Sequence, residues 1–347
     1  LTGADGRPLP DPAPNPCGGA KGTLVYGSVT LPPGQAHTER WLLNQWGRIS
    51  KPGHYRVRAE RRLPLFTLDS AAREFSEKPV DYALAVDELT FQAEARTEAQ
   101  LEAAFRPFLD TLKDPKEPDP AEAVLVITAL PHPFLLTELI TMASAPKPGR
   151  WDRNQALDGL ARLGTPAAWH AILNVARGGD TPSVSPGKDG VENASQAVRG
   201  YAVLLLAEKG DLSFLPALLR IASNAPAGLS DDVLRALGFF HDPRAYQMLF
   251  DKLHSADPTD RMNAILGLKN AGTREVIPAM ISMLDDPDPT VRQVANFALQ
   301  GITNHKIELS SKGTRFESVR AADRWHGWWR ENGANFVPKA PAACRDW

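Results

Sequence analysis

The sequence predicts an α+β chain of two domains, a β-rich N-terminal domain followed by a right-handed α-α superhelix of stacked helical pairs. Three observations predict it. Strand and turn signals fill residues 1–95, helix N-cap residues then recur about every 31 residues, and the same apolar stripe follows each cap. A chain of 347 residues can build two cores, and a solenoid can grow further because each unit buries only its neighbours.

In the first domain, Pro and Gly clusters separate short runs of β-branched and aromatic residues. Tyr55, Val57 and Ala59 alternate with His54, Arg56 and Arg58, the period-2 pattern of a half-buried strand, and Leu89, Phe91 and Ala93 repeat it. The turns Leu31-Pro32-Pro33-Gly34-Gln35 and Lys51-Pro52-Gly53-His54-Tyr55 resemble those of immunoglobulin-like β-sandwich modules of secreted bacterial proteins. That resemblance implies a β-sandwich over residues 1–95, used for adhesion, inhibition or spacing. The opening Gly3-Ala4-Asp5-Gly6-Arg7-Pro8 reads as a turn leaving an upstream strand, and the chain begins with Leu1, so a processed or incomplete start is expected.

Thr97 caps a linking helix within residues 96–118, with Leu101, Phe105, Phe108, Leu109 and Leu112 on one stripe. The Pro-rich segment from Asp114 to Pro120 ends it.

Residues 119–304 carry the repeat. Asp211, Asp242 and Thr273 read as N-caps of successive helices, with Thr165 and His132 as earlier equivalents. Three, seven, eight and eleven residues after each cap stand apolar residues, for example Ala245, Leu249, Phe250 and Leu253. The preceding helices contribute Ala156/Leu160, Ala202/Leu206, Val233/Leu237, Ala264/Leu268 and Ala295/Leu299. A small residue followed one turn later by a large one lets paired helices approach and interlock. Asp257-Pro258 and Asp288-Pro289 place an Asp N-cap before Pro at the first helical position.

The segments Asp286 to Ile302 and Leu160 to Leu173 resemble HEAT repeats of the phycobilisome-lyase-like type. The resemblance runs over about half the chain and implies an array of about six helical pairs whose second helices line a concave, partner-binding face. Between Thr165 and Asp211 the spacing is longer, and the excess falls in Gly178 to Gly190. This insertion is either an edge loop of the binding surface or a spacer.

Residues 305–347 follow the last repeat. Trp325, Trp328 and Trp329 fall on one helical face there and read as a cap over the open end of the core, the alternative being an aromatic ligand platform.

Signs of catalysis are scarce. The chain lacks the zinc-protease, nucleophile-elbow, phosphate-loop and dinucleotide motifs, and no two of its eight histidines stand four residues apart. No catalytic residue, metal or cofactor is expected. A net charge of -2 supplies no field for nucleic acid or anionic lipid, and no apolar run approaches a membrane span. Cys17 and Cys344 stand near opposite ends, either bonded to each other or as two free thiols.

The second helices leave a polar ladder off the buried stripe, five, nine and twelve residues after each cap. It consists of His170, Asn174 and Arg177; Pro216, Arg220 and Ser223; Gln247, Asp251 and His254; and Pro278, Ser282 and Asp285. Trp169 and Tyr246 stand at its edge, since aromatics and Arg are favoured interface anchors. The leading expectation is a non-catalytic scaffold that binds a protein partner through this ladder, extracytoplasmic and accessory to a larger bacterial complex, with self-assembly open. A plain solvated helix face is the alternative for the ladder itself. For the molecule, the alternatives are a chromophore lyase or chaperone, as the resemblance implies, and a secreted protease inhibitor acting through the β-domain.

Overall fold

The computed structural model describes residues 1–9, 42–43, 47, 49–65, 68–69, 74–75, 81–114, 116, 120–145, 152–178, 189–224, 229–309 and 314–338. The chain divides into two compact units, Leu1–Asp110 and Thr111–Trp347. The division falls inside the helix that the sequence places as a link, α1 (Glu98–Lys113). Thr97 and Gln100 form the reciprocal cap that starts it: each backbone N–H donates to the other's side-chain oxygen, at 2.9 and 3.3 Å.

The N-terminal unit contains β1 (Thr2–Gly3), β2 (Gly53–Leu65), β3 (Leu68–Asp69), β4 (Glu74–Phe75) and β5 (Asp81–Ala93). β2 and β5 form one long antiparallel ribbon from Gly53↔Ala93 to Leu65↔Asp81; β1 adds to the other edge of β2, and β3 pairs with β4. The described residues therefore form one three-stranded sheet and one small pair, where a two-layer sandwich is the expectation. The predicted alternation in β2 is present: Tyr55 is buried and Val57 and Ala59 are half-buried, while His54, Arg56 and Arg58 are exposed. Tyr55 stacks on Phe91 with ring centroids 5.7 Å apart and donates its hydroxyl to the Lys51 carbonyl at 2.6 Å. Leu89, expected to share that cover, is 61% exposed although Val57 opposite it is half-buried.

The C-terminal unit is a succession of helical pairs. α2 (Ala121–Ala129) is followed by α3 (Leu136–Ala143), α4 (Arg153–Leu163) by α5 (Pro166–Arg177), and α6 (Asp189–Lys209) by α7 (Leu215–Asn224). Then come α8 (Leu229–Leu237) with α9 (Pro243–Lys252), α10 (Pro258–Ala271) with α11 (Ile277–Ser282), and α12 (Pro289–Thr303) with α13 (Arg315–Asn332). First helices stack on first helices from α2 to α12, and α3 packs on α5, α7 on α9 and α11 on α13. By those contacts α13 is the second helix of the last pair, so the Trp-rich segment completes a repeat as well as covering its end. The small-large pairs of the first helices are wholly inside: Ala156, Leu160, Ala202, Leu206, Val233, Leu237, Ala264, Leu268, Ala295 and Leu299 are all 0% exposed. Removing these side chains from water is the dominant favourable term in the fold.

The caps divide into two kinds. Thr165, Asp242, Asp257 and Asp288 accept backbone N–H bonds from the first turns of their helices, as predicted. The N–H groups of Val291 and Thr290 hold the Asp288 carboxyl below its usual range. His132 and Thr273 make no side-chain cap bond, because a tight 3₁₀ turn precedes α3 and α11 and its own backbone bonds satisfy the first donors. Asp211 caps a turn ahead of α7, accepting from Ser213 N–H at 2.9 Å. The insertion also ends earlier than predicted. Gly178 closes α5 in the left-handed region, residues 179–188 lie outside the described set, and α6 already begins at Asp189, so Gly190 is helical.

A second series, hidden in the sequence, runs through the core at the same step. Arg199, Ser230, Arg261 and Arg292 stand about 31 residues apart, with Arg153 as the equivalent before the insertion. Each reaches back to carbonyls at the end of the preceding second helix or in the turn beyond it: Arg153 to Ala143 at 2.8 Å, Arg199 to Ala176 at 3.2 Å, and Ser230 to Ala222 at 3.0 Å. Arg261 donates to Ser255 and Ala256, and Arg292 to Asp286 and Pro287. The last carbonyls of a helix have no partner within it, so buried donors from the next unit supply one.

Candidate interaction surface

The ladder starts from register. Each second helix turns its cap+3, +7 and +11 positions inward, which carries +5, +9 and +12 around to the far side. All twelve ladder residues are exposed: His170, Asn174 and Arg177 with α5; Pro216, Arg220 and Ser223 on α7; Gln247, Asp251 and His254 with α9; and Pro278, Ser282 and Asp285 with α11. Between them Ile172, Leu218, Leu249 and Met280 are 0% exposed. The contrast is one of position on the helix, since both sets alternate along the same elements.

Half of the polar side chains in the ladder are hydrogen-bonded locally: Ser223 donates to the Leu219 carbonyl at 3.0 Å and Ser282 to the Ala279 carbonyl at 2.7 Å. Gln247 donates to Asp251 at 2.7 Å, one turn along α9, and the His170 ring nitrogen Nδ1 lies 2.7 Å from the Pro166 carbonyl. Arg177, Arg220 and Asp285 have no ion-pair or side-chain hydrogen-bond partner among the described residues. The two edge aromatics are engaged more deeply than a free anchor would be. Trp169 is half-buried, 6.4 Å from the Phe214 ring and under the Lys209 ammonium at 5.5 Å, and its buried indole N–H has no hydrogen-bond partner among the described residues. Tyr246 is half-buried with its hydroxyl 3.0 Å from His241 Nδ1. Burial, and then the Glu275 carboxylate, push its phenol above the usual value. The structure thus leaves every ladder residue exposed on its own helix and holds Trp169 and Tyr246 half-buried against neighbouring side chains.

Other regions offer less. An open groove of about 570 Å³ on the N-terminal unit is lined by His54, Arg56, Arg58, Glu88 and Thr90 among others, but Glu88 already pairs with Arg56 and lies 3.9 Å from Arg58. No group of three or more His, Cys, Asp or Glu among the described residues could hold a metal ion. Cys17 and Cys344 lie outside the described residues, so their pairing does too. Among the described residues no helix is long and apolar enough to cross a membrane.

The terminal aromatics form a built cluster. Trp325 is 0% exposed and donates its indole N–H to Asn296 at 2.8 Å; His305 stacks on Trp328 at 5.4 Å, and Phe336 meets both Trp328 and Trp329 edge-on. Arg274 lies 5.7 Å from the Trp329 ring and donates to the Ala334 carbonyl at 3.0 Å. These contacts pack the aromatics of α13 against α12 and the residues that follow each helix. The sequence reading missed the asparagine that receives Trp325 and the buried arginine series. Its signal was present, since Arg199, Arg261 and Arg292 share the repeat step.

Residues 246–306 match the family model described as HEAT repeats. No curated protein matches the chain. The matched segment runs from α9 to the residues after α12, and the helical pairs before it keep the same register, so the C-terminal unit is a succession of helical pairs of which this segment is similar to HEAT repeats.

Proposed function

We propose that the chain is a non-catalytic protein-binding scaffold whose contact surface is the exposed polar ladder on α5, α7, α9 and α11. One observation carries this reading: the ladder charges Arg177, Arg220 and Asp285 stand exposed at regular positions on successive second helices, without side-chain partners among the described residues. HEAT arrays commonly mediate protein–protein contacts, which supports a partner of that class. The β-rich unit, as a sandwich module, serves attachment in the same proposal.

The test is affinity capture of the tagged full chain from its native source, with mass spectrometry of what is retained. Arg177→Ala/Arg220→Ala/Gln247→Ala is expected to lose a stoichiometric companion that the parent chain holds, while Arg324→Ala, exposed on α13, keeps it. Both variants should melt as the parent does, because exposed side chains away from caps and core change stability little. Equal retention by the triple variant would remove the ladder as the contact surface.

A further inference from the structure

The ladder carries a charge order as well as exposure. Its two N-terminal helices hold the cations, Arg177 on α5 and Arg220 on α7, and its two C-terminal helices hold the anions, Asp251 on α9 and Asp285 just beyond α11. Neighbouring helices pack about 8–10 Å apart, so α5 and α11 are separated by roughly 30 Å. The Debye length at physiological ionic strength is about 8 Å, so Arg177 and Asp285 at the two ends do not screen each other, while Arg220 and Asp251 stand on adjoining helices at about that range.

The heights match too. Counted from the caps, Arg177 and Asp285 both stand at +12, and Arg220 and Asp251 both at +9. A two-fold axis lying in the face, parallel to the helices and between α7 and α9, would set α5 against the α11 of a second copy and α7 against its α9. In that arrangement Arg177 meets Asp285 and Arg220 meets Asp251, each twice. The remaining rungs meet without like charges: Asn174 opposes Ser282, Ser223 opposes His254, His170 opposes Pro278, and Pro216 opposes Gln247. At 1.5 Å per residue α5 is about 18 Å long, α7 and α9 about 15 Å and α11 about 9 Å, so at that spacing the face offers about 500 Å² per copy, below the roughly 800 Å² of a standard specific interface and in the range of a weak, transient one.

We infer that the partner this ladder fits is a second copy of the chain, held face to face about a two-fold axis by Arg177–Asp285 and Arg220–Asp251 pairs. The inference rests on the ladder being the contact surface. The geometry is isologous, as closed two-fold dimers require. Because the pairs are charged and lie near solvent, the association is salt-sensitive and of modest affinity.

The test is sedimentation of the full chain at concentrations up to about 100 µM in low salt and in about 0.5 M salt, where the Debye length shrinks to roughly 4 Å. The parent chain is expected to dimerise in low salt, with its Kd weakened at least about tenfold in high salt. Arg177→Glu/Arg220→Glu and Asp251→Lys/Asp285→Lys should each be monomeric alone with the parent's melting curve. Mixed in equal amounts, they should form a heterodimer, because one face is then wholly acidic and the other wholly basic. Self-pairing is overturned if the parent is monomeric in low salt, if either variant dimerises as the parent does, or if the mixture stays monomeric. A monomeric parent that still loses a different captured companion through the Ala triple variant would leave the scaffold reading standing and remove only the self-pairing.

Discussion

Arg261 and Asp286 form a buried, two-bonded ion pair in the C-terminal unit: bonds of 2.7 and 2.8 Å between side chains only 10% and 3% exposed. Asp286 also accepts the Asp288 N–H at 2.9 Å, and Arg261 donates to two carbonyls of the turn before α10, so the pair is satisfied on both sides. Desolvating two charges costs nearly what their attraction returns, whereas leaving one of them buried and alone is far worse. Arg261→Met is therefore expected to destabilise the unit by about 3–5 kcal/mol in urea titration. Arg261→Met/Asp286→Leu should recover much of that loss, and a double variant no more stable than the single one would show that Asp286 is not left stranded. At this scale the sequence was half legible. Position relative to a cap predicted the exposure of every ladder residue, because helical register is a geometric constraint. It did not predict that Arg153, Arg261 and Arg292 are buried, since arginine is ordinarily a surface residue and only the unsatisfied carbonyls of a neighbouring helix draw it inside.

The helices approach one another most closely where they carry glycine. A Cβ built on Gly238 would meet the Gly267 carbonyl oxygen at 1.9 Å, and one on Gly267 would meet the Leu234 oxygen at 2.3 Å and a Leu249 methyl at 2.7 Å. Backbone cannot give way there as a side-chain tip could, so α8 and α10 would have to separate. Gly267→Ala is expected to cost about 1–3 kcal/mol, the range for overpacking a filled core. In a unit of this size that lowers Tm by roughly 2–10 °C. Gly327→Ala is the matched control on α13: nothing lies within 4 Å of its Cβ, and the substitution should gain about 0.5–1 kcal/mol by favouring helix. A Gly267→Ala chain as stable as its parent in calorimetry would show that the crossing has slack. Most helices were legible because cap, stripe and small-large pair agree within each repeat. The exceptions have local causes. At His132 and Thr273 a 3₁₀ turn replaces the cap bond, and after residue 188 the first two turns of α6, Asp189 to Ser195, carry little apolar pattern to announce a helix.

Across the whole molecule, the C-terminal unit is held by contacts between successive pairs, so disturbance should spread only to adjoining repeats. The last pair tests this because, among the described residues, it packs on one neighbouring pair, α10 with α11. Trp325 closes it, with its ring edge-on to Trp328 at 5.8 Å and its indole N–H on Asn296, whose amide in turn donates to the Ile307 carbonyl at 2.8 Å. Replacing Trp325 by Phe keeps an aromatic ring but removes the donor, leaving the Asn296 oxygen buried and unpaired, a loss of about 1–3 kcal/mol before any void is counted. In a globular core such a loss would be shared by every element. In a stack it belongs to α12 and α13, which open locally long before the central helices do. Hydrogen exchange of Trp325→Phe is therefore expected to quicken in α12 and α13, with a smaller effect in α10 and α11, and to leave α4 to α8 at the parent's rates. Uniform quickening from α2 to α13 would instead mean that the six pairs unfold as one cooperative body, and the repeat would then describe the geometry of the unit without describing its energetics.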